Sequence, residues 1–208
     1  MLDVPARKRG DTRERILVTA EEAMLAKGFA ATSIDELIAA VGITKSGFFY
    51  HFKDKGDLAK AMLLRYLEQD KVLLDELFRR ADELNEDPLH GFLVALKLFA
   101  EMMASLPAAH PGCLAASFVY QDHLFNREIR DLNASGIVLW RRRFRERLER
   151  IAARYPPRLE VDLDALADMA TTLVEGGIVL GRALNDPKIL PAQVMHYRDF
   201  IRLIFAPA

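Results

Sequence analysis

The sequence predicts an all-α fold: an N-terminal three-helix helix-turn-helix domain, then a C-terminal helical domain, about nine helices in all. Three observations predict it. Apolar residues recur at i, i+3, i+4 and i+7 in one segment after another, the period of a helix with a single buried face. No segment sustains the two-residue alternation of a half-buried strand. Capping residues and Gly or Pro breaks fall between the periodic segments, where helices start and stop.

The chain opens on a short polar arm with Arg7, Lys8 and Arg9, and the arm has no apolar signal-peptide core. Asp11, with Glu14 three residues on, forms a capping box for a first helix running to about Lys27. Its core face is Ile16, Leu17, Ala20, Ala23 and Met24; Gly28 ends it, and Phe29 supplies the hydrophobic contact that accompanies such a cap. A second helix carries Ile34, Leu37, Ile38 and Val41 on one stripe, capped by Ser33 with Glu36 three residues later. Gly42 stands at its end, where the chain needs positive φ. Thr44 caps a third helix that reaches about Phe52. Two short helices with a glycine-containing turn make a helix-turn-helix. The second of them carries Thr44, Lys45, Ser46, Tyr50 and His51, hydroxyls, a cation and aromatic donors suited to phosphates and base edges.

Asp54 caps the fourth helix, with Lys55 in its first turn. Its stripe of Leu58, Met62, Leu63, Tyr66, Leu67, Leu73, Leu74, Leu77 and Phe78 continues to about Leu84. A helix of that length leaves the first domain, residues 1–56, and enters the second, residues 57–208. Asn85-Glu86-Asp87-Pro88 breaks it, and a fifth helix follows on Leu89, Phe92, Leu93, Leu96, Phe99 and Met103. After a Pro- and Gly-containing loop ending at Gly112, a sixth helix is expected from Cys113 to about Phe125 and a seventh from Asn126 to about Tyr155. Pro156 and Pro157 stop the seventh. An eighth spans roughly Leu163 to Leu184 and a ninth roughly Ala192 to Phe205.

The 208 residues carry a formal net charge of -1, so any affinity for nucleic acid requires segregated cations. Arg7, Lys8, Arg9, Arg13, Lys45, Lys53 and Lys55 all fall in the first quarter. Arginines crowd the seventh helix too, but Arg142–Glu146 and Arg145–Glu149 are i,i+4 pairs, the pattern of a solvated, salt-laced face. One cysteine, Cys113, excludes an internal disulfide and fits a reducing compartment, so a cytoplasmic location is expected. The five histidines share no metal-ligand spacing, and no cofactor fingerprint, phosphate loop or nucleophile elbow is present. An enzyme built on a helical bundle, or a protein that coats DNA without an effector, are the rival classes. The large second domain argues against coating.

The run GITKSGFFYHFKDKGDL, Gly42 to Leu58, resembles the recognition segment of the tetracycline-repressor (TetR) family of bacterial transcriptional regulators. The likeness extends back through TRERILVTA at Thr12 and AKGFAATSI at Ala26. Lys45-Ser46-Gly47 departs from the family's frequent Lys-Gly-Ser/Thr order, a difference that bears on base preference rather than on fold. The resemblance implies a dimer on double-stranded operator DNA and a small-molecule effector held in the second domain, with repression as the outcome. The candidate DNA-contacting residues are then Thr32, Ser33, Thr44, Lys45, Ser46, Gly47, Phe49, Tyr50, His51 and Lys55. Phe99, Met103, Ser117, Gln121 and Trp140 are expected to line a pocket for an apolar or aromatic effector, with Glu175 as a further inward polar group. Small residues on the eighth helix allow close helix approach, either in a central core helix or at a subunit interface; the resemblance implies the latter, with Leu173, Gly177 and Gly181 and with Tyr197, Phe200 and Ile204 of the ninth as the expected dimer interface.

Overall fold

The computed structural model describes residues 12–205, and these form nine α-helices and one 3-10 turn with no strand. The basic arm at Arg7–Arg9 and the cap at Asp11 lie outside the described residues. The helices are α1 (Thr12–Lys27), α2 (Ile34–Val41), α3 (Lys45–His51), α4 (Lys55–Leu84), α5 (Pro88–Ala104), α6 (Leu114–Tyr120), α7 (Arg127–Arg154), α8 (Leu163–Leu184) and α9 (Ile189–Phe205). No described helix is long and apolar enough to cross a membrane.

Local chemistry sets most boundaries. The side chains of Ser33, Thr44 and Asp54 accept from the backbone N–H of Glu36, Gly47 and Asp57, so α2, α3 and α4 each begin on a side-chain cap. Gly42 adopts φ 71°, and its N–H bonds to the Ile38 and Ala39 carbonyls. Glu36 does not complete a capping box; its carboxylate pairs instead with Lys27 at 2.5 Å. Helix α9 starts ahead of the expected Ala192, because Pro191 falls in its first turn, where a missing N–H costs nothing.

The sixth helix is shorter than its sequence suggests. It stops at Tyr120, and a 3-10 turn, Asp122–Leu124, carries the chain round to α7. Gln121, at the break, turns its amide onto Gly28 and accepts from the Ala30 N–H at 3.3 Å. The turn delivers Phe125 onto Phe29 and Phe118, at ring separations of 4.9 and 4.5 Å. A tertiary dock overrides the helical period here.

Two apolar clusters hold the molecule together. One gathers Ile16, Leu17, Leu37, Phe48, Phe52 and Met62, and reaches Leu114, Phe118 and Ile129 of α6 and α7. The other gathers Leu74, Phe78, Phe92, Phe99, Phe144, Leu148, Ile178, Tyr197 and Phe205. Helix α4 contributes to both, Leu58 to Leu63 at one end and Leu74 to Ala81 at the other. The arginine face of α7 is tied to its neighbours: Arg141 to Asp168 at 2.6 Å, Arg147 to Asp82 at 2.5 Å and Arg145 to both Glu149 and Asp164.

Gly91 in the first turn of α5 shows how tightly this second cluster closes. A Cβ there would stand 2.7 Å from the Asn85 carbonyl oxygen, a backbone atom with no room to retreat. Alanine normally stabilises a helix by about 1 kcal/mol over glycine. At this site overpacking, worth roughly 1–3 kcal/mol, works against that gain. Gly91→Ala is therefore expected to lower the melting temperature in differential scanning calorimetry. A rise would mean that the turn between α4 and α5 yields.

Candidate nucleic-acid interface

Helix α3 is pinned from below and bare above. Phe48 and Phe52 are fully buried, with ring centroids 5.7 Å apart, and Arg13 lies over Phe52 at 5.3 Å. Along the opposite face Thr44, Lys45, Ser46, Phe49 and Tyr50 are exposed, Tyr50 to 85%. Thr44 caps the helix through Gly47 N–H and also lies 3.0 Å from the Ser46 hydroxyl, so the first turn presents ordered hydroxyls. Lys45 approaches Asp35 only loosely, at 3.9 Å between exposed groups, which leaves the amine available to a stronger anion. His51 is half-buried with its ring edge-on to Tyr50 at 5.0 Å. Ser33 is exposed at the start of α2. The structure thus brings seven of the sequence candidates, with Gly47 between them, to one side of the helix pair.

Two candidates lie elsewhere. Thr32 is buried, and its hydroxyl donates to the Gly28 carbonyl at 3.0 Å, which makes it part of the α1–α2 turn. Lys55 turns inward: its amine donates to the Phe29 carbonyl at 2.5 Å and sits 4.3 Å from the Phe29 ring centre. Burial lowers its pKa. Lys55 therefore locks α4 to the end of α1 rather than offering a free cation. Lys53, two residues earlier and exposed, is the cation this end of the surface presents. The Lys-Asp-Lys spelling carries that signal, since a capped helix start places consecutive lysines on different sides.

The other expected sites also rearrange. Phe99 and Trp140 meet at 6.4 Å, and Met103 packs against the same cluster. Ser117 is bound to the Cys113 carbonyl at 3.0 Å, and Gln121 is spent on the α1–α2 turn, so neither joins them. The void beside Trp140 holds about 10 Å³, too little for a ligand. Gly177 and Gly181 face their own chain, with Leu190 and the Asp186 carbonyl, respectively, about 3 Å from a built Cβ. Tyr197 and Ile204 are buried, and the Tyr197 hydroxyl donates to the Leu166 carbonyl at 2.8 Å. Gly177 and Tyr197 hold α8 to α9 within one chain, Gly181 is closed off by the loop between them, and Ile204 is buried in the same core. The exposed apolar groups on this side are Leu180 and Leu184 on α8 and Leu203 on α9, with Leu173 and Phe200 beside them partly buried against the core.

Between α4 and α8 the structure brings together polar groups that the sequence does not align. The Tyr66 hydroxyl lies 3.6 Å from the Cys113 sulfur, Cys113 is hydrogen-bonded to Glu175, and the Trp140 indole N–H donates to Asp70 at 3.1 Å. Burial pushes Asp70 up to about 6, raises Glu175 above the usual carboxylate range, and with the Glu175 charge moves Cys113 to about 11. Cys113 is accordingly a thiol at neutral pH, not a nucleophile. No group of three or more metal-binding side chains occurs among the described residues.

The Asp70 shift has a stability consequence. Its folded pKa lies above the ordinary 3.8, so the charged form is penalised in the folded state alone. Stability is lost as pH rises through about 6 and regained towards acid. Asp70→Asn keeps an oxygen for the indole N–H and removes the charge. It should raise the melting temperature by a few °C at slightly alkaline pH, and by less near the acid end of that window. An equal gain at both ends would assign the effect to packing.

Comparison with known proteins fits this geometry. Residues 16–62 match the model for bacterial regulatory proteins of the tetR family. The HTH-type transcriptional repressor BepR of Brucella suis is 33% identical over 95 residues, 43% of this chain and 44% of its own length, so that match spans less than half of the relative. The transcriptional regulator AcuR of Cereibacter sphaeroides is 26% identical over 161 residues, 76% of this chain and 70% of that one. The crystal structure of a TetR transcriptional regulator from Chloroflexus aurantiacus superposes with a TM-score of 0.76 at 26% identity, covering 95% of this chain and 97% of the other. With a helix-turn-helix built on the matched residues and a fold shared along nearly its whole length, residues 16–62 are a domain of the tetR-family type on a chain that folds as such regulators do.

Proposed function

We propose that this chain is a ligand-responsive, DNA-binding transcriptional regulator, a repressor that binds a palindromic operator as a homodimer and is released by a small-molecule effector. The observation that carries the reading is the bare outer face of α3 on a helix otherwise sunk in a core. Exposed hydroxyl groups in the first turn of such a helix, with exposed aromatic groups in its second half, fit a major groove, with Lys45 placed for a guanine edge. Ser33, Tyr50, His51 and Lys53 serve as phosphate contacts beside it. Repression is supported by the name of the Brucella suis relative.

Residues 1–56 form the DNA-binding part in this reading, and residues 57–208 bind the effector and the second subunit. The α8–α9 stripe of Leu173, Leu180, Leu184, Phe200 and Leu203 supports a two-fold four-helix contact, with Gly176 letting the helices approach. Phe99, Met103 and Trp140 support an effector with an aromatic or otherwise apolar body. The ligand must bind the DNA-incompetent arrangement more tightly than the competent one, because only differential affinity shifts the equilibrium.

Two experiments test this. In operator binding measured against salt, Lys53→Ala should flatten the slope by about one phosphate. Lys55→Ala should leave the slope nearly unchanged and lower thermal stability, since its amine is engaged by the Phe29 carbonyl; the reverse outcome would return Lys55 to the DNA. In sedimentation equilibrium, the double variant Leu180→Glu, Leu184→Glu should run as a monomer and lose operator binding. A dimer that survives both charges would place the subunit contact off α8.

A further inference from the structure

A cleft of about 590 Å³, within the range of small-molecule sites, opens between α1, α4, the loop after α5 and the end of α8. It is separate from the polar seam of Tyr66, Asp70, Cys113 and Glu175 between α4 and α8, none of which lines it. Two of its charged groups cancel: Glu21 on α1 faces Arg65 on α4 at 2.6 Å. Glu22 is exposed to water, which screens its charge.

Arg182, on the α8 side, is not matched in this way. It enters no ion pair among the described residues, and its one hydrogen bond there, to the Leu25 carbonyl, is long at 3.4 Å. Arginines on α7 are held differently, Arg141, Arg143, Arg145 and Arg147 each by a carboxylate. Most of the Arg182 N–H donors are therefore unspent. Gly112 shows where the guanidinium lies, since a Cβ built there would stand 2.9 Å from Arg182 Nη1 and 3.2 Å from Leu25 Cδ2. The Gly112 N–H donates in turn to His110 Nδ1 at 3.2 Å. A guanidinium and an imidazole thus flank one residue that has no side chain. Burial, with the Arg182 charge beside it, lowers the pKa of His110, so the ring is neutral at neutral pH. With Nδ1 accepting, its proton is on Nε2, which is a further donor on the cleft wall.

We propose that this cleft takes a small organic acid, a carboxylate on an apolar body, with the carboxylate held by Arg182 and His110. The planar guanidinium offers parallel N–H donors to the two carboxylate oxygens, and charge-assisted bonds of this kind are the strong ones. The apolar body lies along Val18, Leu25 and Ala109, which favours an organic acid over free phosphate. The site is additional to the effector region at Phe99 and Trp140 and does not depend on a ligand there. Because Leu25 is on α1 and Arg182 on α8, the bound acid ties the first domain to the second.

Calorimetric titration of the full-length chain with 4-phenylbutyrate, 4-phenylbutanol, 4-phenylbutylamine and inorganic phosphate separates charge from bulk. The carboxylate should bind about tenfold or more tightly than the alcohol, with the amine and phosphate weaker still. Arg182→Gln should bring the carboxylate down to the level of the alcohol. Should that variant fail to fold by circular dichroism, Ala109→Asp, which sets a like charge on the loop wall, takes its place with the same expected loss. Alcohol or amine binding as tightly as the carboxylate overturns the acid. Phosphate binding as tightly overturns the apolar body. Carboxylate affinity unchanged in the folded variant overturns the placement in this cleft, and no heat with any probe overturns the site as a whole. In each of these cases the DNA-binding reading stands on its own salt test.

Discussion

Helix α4 runs unbroken for 30 residues, about 45 Å at 1.5 Å per residue, and carries a buried stripe in each half, Leu58 to Leu63 and Leu74 to Ala81. Its first turns are packed under α1 and α3, its last turns against α5 and α7. A helix held by consecutive backbone bonds does not bend cheaply without proline or a bulge, and none interrupts this one. The two clusters are therefore parts of one lever. A change of side-chain packing near Asp70 that rotates α4 must carry Leu58 and Met62 with it, and through them the seat of α3. The position of the DNA-facing helix is thus fixed by packing far from it in space.

Two smaller contacts decide how that movement is transmitted. Lys55 fastens the start of α4 to the Phe29 carbonyl, so α4 and the α1–α2 turn move together. Gln121 reaches the same turn from the other side, against Gly28 and Ala30, with Phe125 wedged on Phe29. Gly28, at φ 87°, leaves its Cα open to that amide, and a side chain there would be strained in backbone as well as crowded. The turn after α1 accordingly receives contacts from α4 and from α6. A ligand acting on either helix is felt at one place.

Much of this was legible in the sequence because it is set by short-range chemistry. Ser33, Gly42, Thr44 and Asp54 specify helix starts and stops within four residues of themselves, and their side chains do what such residues do at any helix end. The illegible part is long-range. Nothing within ten residues of Lys55 says that its amine will find the Phe29 carbonyl, 26 residues away, while Lys53 stays in water. Gly176 and Gly177 are adjacent on a helix apolar nearly all round, and only the position of Leu190 reveals which of them faces α9. Gln121 reads as one more helical residue until the turn it grips is seen. For the same reason Tyr66, Asp70, Cys113 and Glu175, drawn from three segments, carry no common spacing.

The polar seam also explains why a stable bundle would keep charges in its interior. An apolar replacement for an uncompensated buried acid is commonly neutral or stabilising, so Asp70 and Glu175 are held at a cost to the unliganded fold. A cost of this kind is what a ligand can repay: whatever binds the folded chain and neutralises the acids stabilises it in proportion to its occupancy. The repayment becomes regulation only if it differs between two positions of α4. Asp70 is on α4 and Glu175 on α8, so a change that touches both is sensitive to the separation of the two helices. That separation acts directly on the lever that carries α3.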